Sequence, residues 1–206
     1  MPVDGTKGRA GRRCRFASLI SATALLLAAG LPTANADDPK LDEQLATCAA
    51  CHGEKGVSTM DNTPSLAGQP VLFTQIQLFL FREGQRVDAA MNQVAQGLSD
   101  DSLTALGEWF AKQPPSVPTE AADPALDAKG REIAVTHRCG TCHLPDFAGR
   151  EQMPRLAGQR EDYLIKALRD YKNGARSGDG AQMAEVVYAL SDDDLKAVAH
   201  HIAHFK

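Results

Sequence analysis

Apolar side chains recur every three to four residues through much of this 206-residue chain, which is the spacing of one face of an α-helix. Two segments show the pattern best, Val71 to Arg82 and Tyr163 to Tyr171. Their apolar positions are Leu72, Ile76, Phe79, Leu80, Leu164, Leu168 and Tyr171. Each segment is predicted to be a helix with one buried face.

Two later segments resemble each other in the same way. Ser99 and Ser191 each precede a run of acidic residues, as expected of a residue that caps a helix N-terminus. The apolar stripes that follow are Leu103, Leu106, Trp109 and Phe110 in one segment, and Leu195, Val198, Ala199 and Ile202 in the other. No strand-like alternation is visible, so the predicted fold class is all-α.

These similarities belong to an internal repeat. The sequence Leu-Ala-Gly-Gln begins at Leu66 and again at Leu156, and Leu-Ser-Asp-Asp begins at Leu98 and at Leu190. A proline-rich stretch separates the copies and is typical of an extended linker. We predict a first domain over residues 37–113, a linker over 114–125 and a second domain over 126–206.

Residues 1–36 are predicted to be a secretory signal peptide rather than part of the fold. A basic stretch precedes an apolar run from Phe16 to Leu31, and Ala34-Asn35-Ala36 offers small residues for cleavage before Asp37. An uncleaved anchor is the alternative, but the run is shorter than the roughly 20 apolar residues of a spanning helix. We therefore expect export to the periplasm.

Removing the leader makes the chain clearly acidic. The remaining 170 residues hold 17 basic and 25 acidic side chains, a net charge of −8. This charge disfavours binding to DNA or any other nucleic acid. The imbalance lies in residues 37–113, with a net charge of −6, whereas residues 126–206 are neutral. A dipolar chain of this kind can present different ends to different partners.

Two C-x-x-C-H runs carry the chemistry. Their motif residues are Cys48, Cys51 and His52 in the first copy, and Cys139, Cys142 and His143 in the second. On a helix, positions i and i+3 share a face, so both thiols can bond one haem c while the adjacent His reaches its iron. A zinc site and a thioredoxin-like redox pair are the alternatives, but neither needs a His directly after each pair.

With these motifs and the downstream P-x-L-A-G-Q and L-S-x-x-D-L runs, the chain from about residue 37 to its end resembles the two-haem cytochrome c4 family. The resemblance implies two tandem class I cytochrome c domains, each around one covalently attached haem c. It also implies a carrier of single electrons rather than an enzyme. Its donor would be a quinol-oxidising cytochrome complex or a dehydrogenase, and its acceptor a haem-copper terminal oxidase.

A sixth iron ligand must come from the far face of each haem, so the chain has to travel around the macrocycle first. Met91 and Met183 lie 39 and 40 residues after their histidines, at the position where the family has its ligand. Met60 and Met153 follow too soon and are interpreted as surface or gap-filling residues. Ligation by His and Met leaves no open iron position, as suits electron transfer.

The resemblance assigns further roles next to each haem. The carbonyl groups of Pro64 and Pro154 would accept a hydrogen bond from the proximal His, with a turn-forming role as the alternative. Gly68 and Gly158 would let the backbone approach the haem closely.

Of the histidines outside the motifs, His137 is too near Cys139 to reach the opposite haem face, and the other three are interpreted as polar surface residues. The others are His200, His201 and His204. His201 stands where the first copy has Trp109, a position that the family usually gives to an aromatic residue between its first and last helices. This difference puts the helix packing of the second domain in doubt.

Two other functions stay open on sequence grounds. The chain can be a tightly bound cytochrome subunit of a periplasmic dehydrogenase, with catalysis on another chain. It can also be an enzyme itself, a dihaem peroxidase or a thiosulfate-oxidising cytochrome. The second alternative needs an accessible iron site, for which these short domains with two Met candidates are poorly suited.

Overall fold

The computed structural model describes residues 39–176 and 180–206, so the predicted leader lies outside the described residues. Helices form almost all of the regular structure there, and the only β pairing among the described residues is an isolated bridge between Arg150 and Met153. The helices are α1 (Pro39–His52), α2 (Val71–Arg82), α3 (Ala89–Ala95), α4 (Asp100–Ala111), α5 (Pro124–Thr136), α6 (Gly140–His143), α7 (Glu161–Lys172), α8 (Ala181–Val187) and α9 (Asp192–Ala203). The all-α prediction is confirmed. No helix in this part of the chain is long and apolar enough to span a bilayer.

The predicted helix starts are confirmed at both closing helices. The Ser99 hydroxyl accepts a hydrogen bond from the Ser102 N–H, and α4 begins directly after it. Ser191 caps α9 in a fuller way, because the Asp194 N–H donates to its hydroxyl while the Asp194 carboxylate accepts from the Ser191 N–H. Such a reciprocal cap satisfies two backbone groups that a helix N-terminus would otherwise leave unpaired.

The buried face of α2 differs from the predicted one. Leu72 and Phe79 are 43% and 40% exposed, whereas Thr74 and Gln77 are buried together with Leu80. The reason is that this face meets the other half of the molecule, from which Arg176 donates to the Gln77 amide oxygen, while Arg86 donates to it from the same half. The Gln77 amide can be buried there because its oxygen is paired.

In the second half, α5 and α9 cross in close contact. A Cβ atom on Gly130 of α5 would lie 2.1 Å from the Ala197 carbonyl oxygen and 2.6 Å from the His201 Cβ. The His201 ring packs edge-on against Phe147 and Phe205. The doubt raised by His201 in place of an aromatic residue is thus resolved by a glycine that lets the two helices approach.

The two cysteine motifs have different local structures. In the first half, α1 runs without interruption through Cys48 to His52. In the second half, α5 ends at Thr136, Arg138 adopts a left-handed conformation (φ 56°), and the short α6 then carries the motif. Helical geometry over the motif itself is therefore kept, with Cys139 still in the right-handed helical region.

A segment without helix joins α4 to α5 and packs against both halves. Pro115 lies over Gly68, where an added Cβ would approach its side chain to 2.9 Å. Ser116 lies over Gly158 in the same way, and its hydroxyl donates to the Gly158 carbonyl at 2.5 Å. Both glycines have positive φ (69° and 71°), which other residues rarely adopt. Their close neighbour in the structure is thus the linker.

We call α1–α4 the first half and α5–α9 the second half. The described residues of both belong to one compact unit. Helix α5 begins at Pro124, two residues before the start predicted for the second domain.

Candidate functional site

Each cysteine motif ends on a buried histidine. His52 is 6% exposed, and its Nδ1 lies 2.8 Å from the Pro64 carbonyl oxygen. His143 is equally buried, with its Nδ1 3.0 Å from the Pro154 carbonyl oxygen. Since a proline carbonyl can only accept, each Nδ1 carries the proton and donates it. Each Nε2 is left with its lone pair free for a metal ion.

Burial lowers the pKa of both His52 and His143, and the hydrogen bond to the proline carbonyl opposes this only in part. Both imidazoles are therefore neutral at physiological pH, which is the state that binds iron. The cysteines flank these rings with one half-buried and one exposed thiol in each motif.

A zinc site fits the motifs poorly. Burial raises the pKa of the Cys48 thiol to about 11 and raises that of Cys139, so both thiols are protonated at neutral pH. Among residues 39–176 and 180–206, Glu161, His200 and His204 are the only side chains that place three possible metal ligands together. Neither cysteine motif forms such a cluster.

A largely apolar cavity opens beside the second motif. Cys139, Cys142, His143 and Met183 all line it, so the structure brings the predicted residues of the second site to one space. Met183 is the third residue of α8, and Met91 has the same place in α3 of the first half. Of the remaining two methionines in the described residues, Met60 is 45% exposed and Met153 lines the same cavity.

The polar part of this cavity is positively charged. The Tyr163 hydroxyl accepts a hydrogen bond from Arg86, and Arg176 also faces it. Burial alone would raise the pKa of Tyr163, but the two guanidinium groups outweigh it and lower this pKa. The Gln77 amide oxygen accepts from Arg86 at 2.6 Å and from Arg176 at 2.9 Å.

Two of the arginine nitrogens are suited to a negatively charged group. Within the described residues, the Nε atoms of Arg155 and Arg176 are buried without a hydrogen-bond partner. A buried, unpaired cationic donor is costly, so such a site favours a negatively charged group. Haem is an apolar macrocycle that carries carboxylates. Its ring matches the apolar walls of the cavity and its carboxylates can accept from these donors, so the residues present fit haem. Sequence reasoning missed Arg86 and Arg176, although their separation of 90 residues repeats the period of the chain.

Side chains and backbone of the two halves meet directly around these sites. The Asn62 N–H donates to the Asp162 carboxylate at 2.8 Å, and the Phe73 N–H donates to the Glu151 carbonyl at 3.0 Å. Arg160 reaches Asp61 at 3.0 Å. First-half residues also line the second-half cavity, so the second site is not built by the second half alone.

The interpretation of the last three histidines as surface residues is wrong. His200 and His201 are 7% and 6% exposed, and His204 is half-buried. The Nε2 of His200 accepts from the Asp123 N–H at 2.8 Å, and its Nδ1 lies 2.9 Å from the Glu161 carboxylate. Instead of facing solvent, His200 of α9 makes buried contacts with α7 and with the end of the linker.

His201 and His204 have partners of their own. His201 Nδ1 lies 2.8 Å from the Asp127 carboxylate in α5, and His204 Nδ1 lies 2.9 Å from the His200 carbonyl. These bonds account for the arrangement without a metal ion or a haem. The three histidines thus have a structural role in the second half.

The comparisons with known proteins agree with this geometry. The Cytochrome c family model matches residues 128–206. The chain is 32% identical over 195 residues to a cytochrome c4 of Pseudomonas aeruginosa, which covers 89% of this chain and 96% of the relative. It is 33% identical over 171 residues to a thiosulfate dehydrogenase electron acceptor of Thiomonas intermedia, which covers 78% of this chain and 79% of the relative.

A solved structure gives the same result. The chain superposes on the crystal structure of reduced recombinant cytochrome c4 from Pseudomonas stutzeri with a TM-score of 0.72 and 32% sequence identity. The match covers 82% of this chain and 99% of that one.

Proposed function

This chain belongs to the cytochrome c4 family, and from that premise we propose that it carries single electrons in the periplasm between a respiratory donor and a terminal oxidase. As a c-type cytochrome it binds covalent haem c at its two C-x-x-C-H motifs and takes part in electron transfer. The bound haem iron supplies the one-electron couple. The chain's own residues hold and orient it.

One observation supports this proposal most strongly. His52 and His143 are buried, neutral and fixed by a proline carbonyl, which leaves Nε2 of each free to bind a metal ion. We propose Met91 and Met183 as the opposite ligands, since they occupy equivalent places in α3 and α8. Six-coordinate iron has no open position for a substrate, which favours a carrier over a peroxidase.

The first experiment measures the weak near-infrared band of the oxidised protein, which Met-ligated ferric haem shows and bis-His haem lacks. We expect an intensity for two Met-ligated haems in the wild type. Met91→Ala and Met183→Ala should each remove half of it. Met60→Ala, at an exposed position outside the cavity, is the matched control and should leave it unchanged. An intensity for one haem or none in the wild type would contradict the ligand proposal.

The donor and acceptor are a finer part of the proposal. By family resemblance the donor is a quinol-oxidising cytochrome complex or a dehydrogenase, and the acceptor is a haem-copper oxidase. We expect membranes that contain these complexes to reduce and reoxidise the purified protein. The protein by itself should consume neither peroxide nor thiosulfate. If peroxide or thiosulfate were consumed at a rate proportional to the concentration of the protein, the protein would instead be an enzyme.

A second candidate function follows from the relatives. One of them is named a thiosulfate dehydrogenase electron acceptor, and its 33% identity to this chain is close to the 32% of the cytochrome c4 of Pseudomonas aeruginosa, over a smaller share of the chain. The chain would then accept electrons from an enzyme on another chain. Rapid reduction by a thiosulfate dehydrogenase plus thiosulfate, and slow reduction by the quinol-oxidising complex, would favour this donor.

Export is proposed on the leader alone. Cleavage after Ala36 would give a mature chain that begins at Asp37. The intact mass and N-terminal sequence of the protein from a periplasmic extract test this directly. A mass that includes residues 1–36 would favour the uncleaved anchor.

A further inference from the structure

Two glutamines of the repeated Leu-Ala-Gly-Gln sequence cross from one half to the other. The Gln159 amide oxygen accepts from the Ser65 N–H at 2.7 Å, and its NH2 group donates to the Ser65 carbonyl at 2.8 Å. Gln69 makes the same pair of bonds to the backbone of Arg155, at 3.1 and 2.8 Å. Both glutamines are buried, 6% and 4% exposed. Each side-chain amide therefore forms two hydrogen bonds with the backbone of one residue in the opposite half.

The residues that the glutamines bind, Ser65 and Arg155, directly follow the two prolines whose carbonyl groups contact the proximal histidines. The Pro64 carbonyl, which accepts from His52, and the Ser65 N–H belong to one peptide group. The Pro154 carbonyl and the Arg155 N–H form the equivalent peptide group next to His143. An unbroken chain of hydrogen bonds thus runs from each glutamine, through one peptide group, to the proximal histidine of the other half.

A peptide group that donates through its N–H becomes a better acceptor at its carbonyl, because hydrogen bonds in series polarise one another. A stronger bond from the His Nδ1–H to this carbonyl makes the imidazole a more basic ligand. A more basic ligand stabilises the oxidised iron and lowers its reduction potential.

We propose that Gln159 and Gln69 are crossed positioning residues, each of which tunes the iron of the opposite half by polarising the proline carbonyl that its proximal histidine contacts. This inference rests on the proposed ligation of iron by His52 and His143. It makes the environment of each haem depend on a side chain of the other half.

Three other contacts between described residues of this interface do not reach these peptide groups. Asn62 with Asp162 and Asp61 with Arg160 join side chains or backbone elsewhere. Ser116 donates to the Gly158 carbonyl, so it touches the same repeated sequence without touching either proline peptide. Changes to these residues can therefore separate general loosening of the interface from a loss of polarisation.

The experiment compares Gln159→Leu and Gln69→Leu in the full-length holoprotein. NMR-monitored redox titration follows haem methyl signals that are assigned to each half. In Gln159→Leu we expect the reduction equilibrium constant of the first-half haem to rise roughly two- to tenfold, up to about 59 mV for one electron, with the second-half haem unchanged. Gln69→Leu should show the converse, and Ser116→Ala should shift neither haem.

A second variant and a second measurement cover a folding defect. Gln159→Asn keeps a buried amide that is one methylene too short, and should shift the same haem in the same direction. In the reduced protein, exchange of the His52 Nδ1–H with solvent should become faster in both Gln159 variants, while that of His143 stays as in the wild type.

Several outcomes would overturn the inference. They are equal shifts of both haems in each variant, a shift of the haem in the glutamine's own half, and no shift of either haem. The near-infrared band of each variant distinguishes this failure from that of the proposed function. A wild type without the band lacks the Met ligation that the proposed function requires. Variants that keep the band without a crossed shift refute only the tuning.

Discussion

Replacement of Gly130 by alanine should test the close crossing of α5 and α9. The added methyl group would lie 2.1 Å from the Ala197 carbonyl oxygen and 2.6 Å from the His201 Cβ. These distances are about 1.4 and 0.9 Å shorter than a normal non-bonded contact of about 3.5 Å. Both neighbours belong to the backbone or to a Cβ, so neither can move away by rotating a side chain. The two helices must separate.

The magnitude follows from two opposing effects. Forcing an extra methyl group into a packed contact costs about 1 to 3 kcal/mol, and more where backbone has to move. Alanine in a helix interior is favoured over glycine by about 1 kcal/mol, which offsets part of this cost. Because backbone blocks the methyl group here, we expect a net loss of about 2 kcal/mol. For a chain of this size that lowers the melting temperature by roughly 4 to 8 °C.

Denaturant and thermal unfolding of the holoprotein, followed by far-ultraviolet circular dichroism, would measure the change. Gly97→Ala is the matched control, since a Cβ at Gly97 would meet nothing within 4 Å. It should alter the free energy of unfolding by less than about 0.5 kcal/mol. If Gly130→Ala were as stable as the wild type or more stable, the inferred contact between the two helices would be wrong.

Three further predictions concern single contacts. Burial would raise the pKa of the Asp162 carboxyl group, but its hydrogen bonds outweigh burial and lower this pKa. The hydrogen bond from the Asn62 N–H therefore stabilises the fold fully above the ordinary aspartate pKa, and this stabilisation is lost as the pH falls through the lowered pKa. Acid below about pH 4 should thus lower the denaturant midpoint in the wild type and less so in Asp162→Asn; equal losses would contradict this. His200→Ala leaves the Asp123 N–H without its acceptor and should cost about 1 to 3 kcal/mol by chemical unfolding, with no loss as the contrary result. Ser191→Ala should cost about 1 kcal/mol through loss of its cap, and an unchanged stability would refute the role of that cap.

The periodic features of the sequence were enough to predict helices α2, α4, α7 and α9, and the serine caps of α4 and α9. The predicted segment Val71 to Arg82 has the same bounds as α2, and both serine caps are present. These features are local, because spacing and capping depend on residues within one turn of each other. The all-α class followed from them.

Burial was harder to predict because it depends on what each face meets. Leu72 and Phe79 are exposed while Gln77 is buried, since the second half brings a guanidinium group to that face. His200 is buried for a similar reason, with Asp123 and Glu161 on its two ring nitrogens. In both cases the partner comes from another helix or from the linker, and no spacing along the chain reveals it.

The cross-contacts of the glutamines were also beyond sequence reasoning. The repeat showed that Gln69 and Gln159 are equivalent, but their partners are backbone groups, which every residue has. Ser65 and Arg155, whose backbone groups the glutamines bind, have unrelated side chains. Only the placement of the two halves identifies them.

The reciprocal hydrogen bonds of Gln69 and Gln159 affect how the two halves stay together. Contacts in which the same position of each copy binds the other copy are those of a symmetric dimer, and a dimer falls apart on dilution. Here one covalent chain carries both copies, and the linker residues Pro115 and Ser116 are held against Gly68 and Gly158. A short tether of this kind keeps the effective concentration of each half around the other near the millimolar range. The pairing of the two halves is therefore independent of how much of the protein the cell makes.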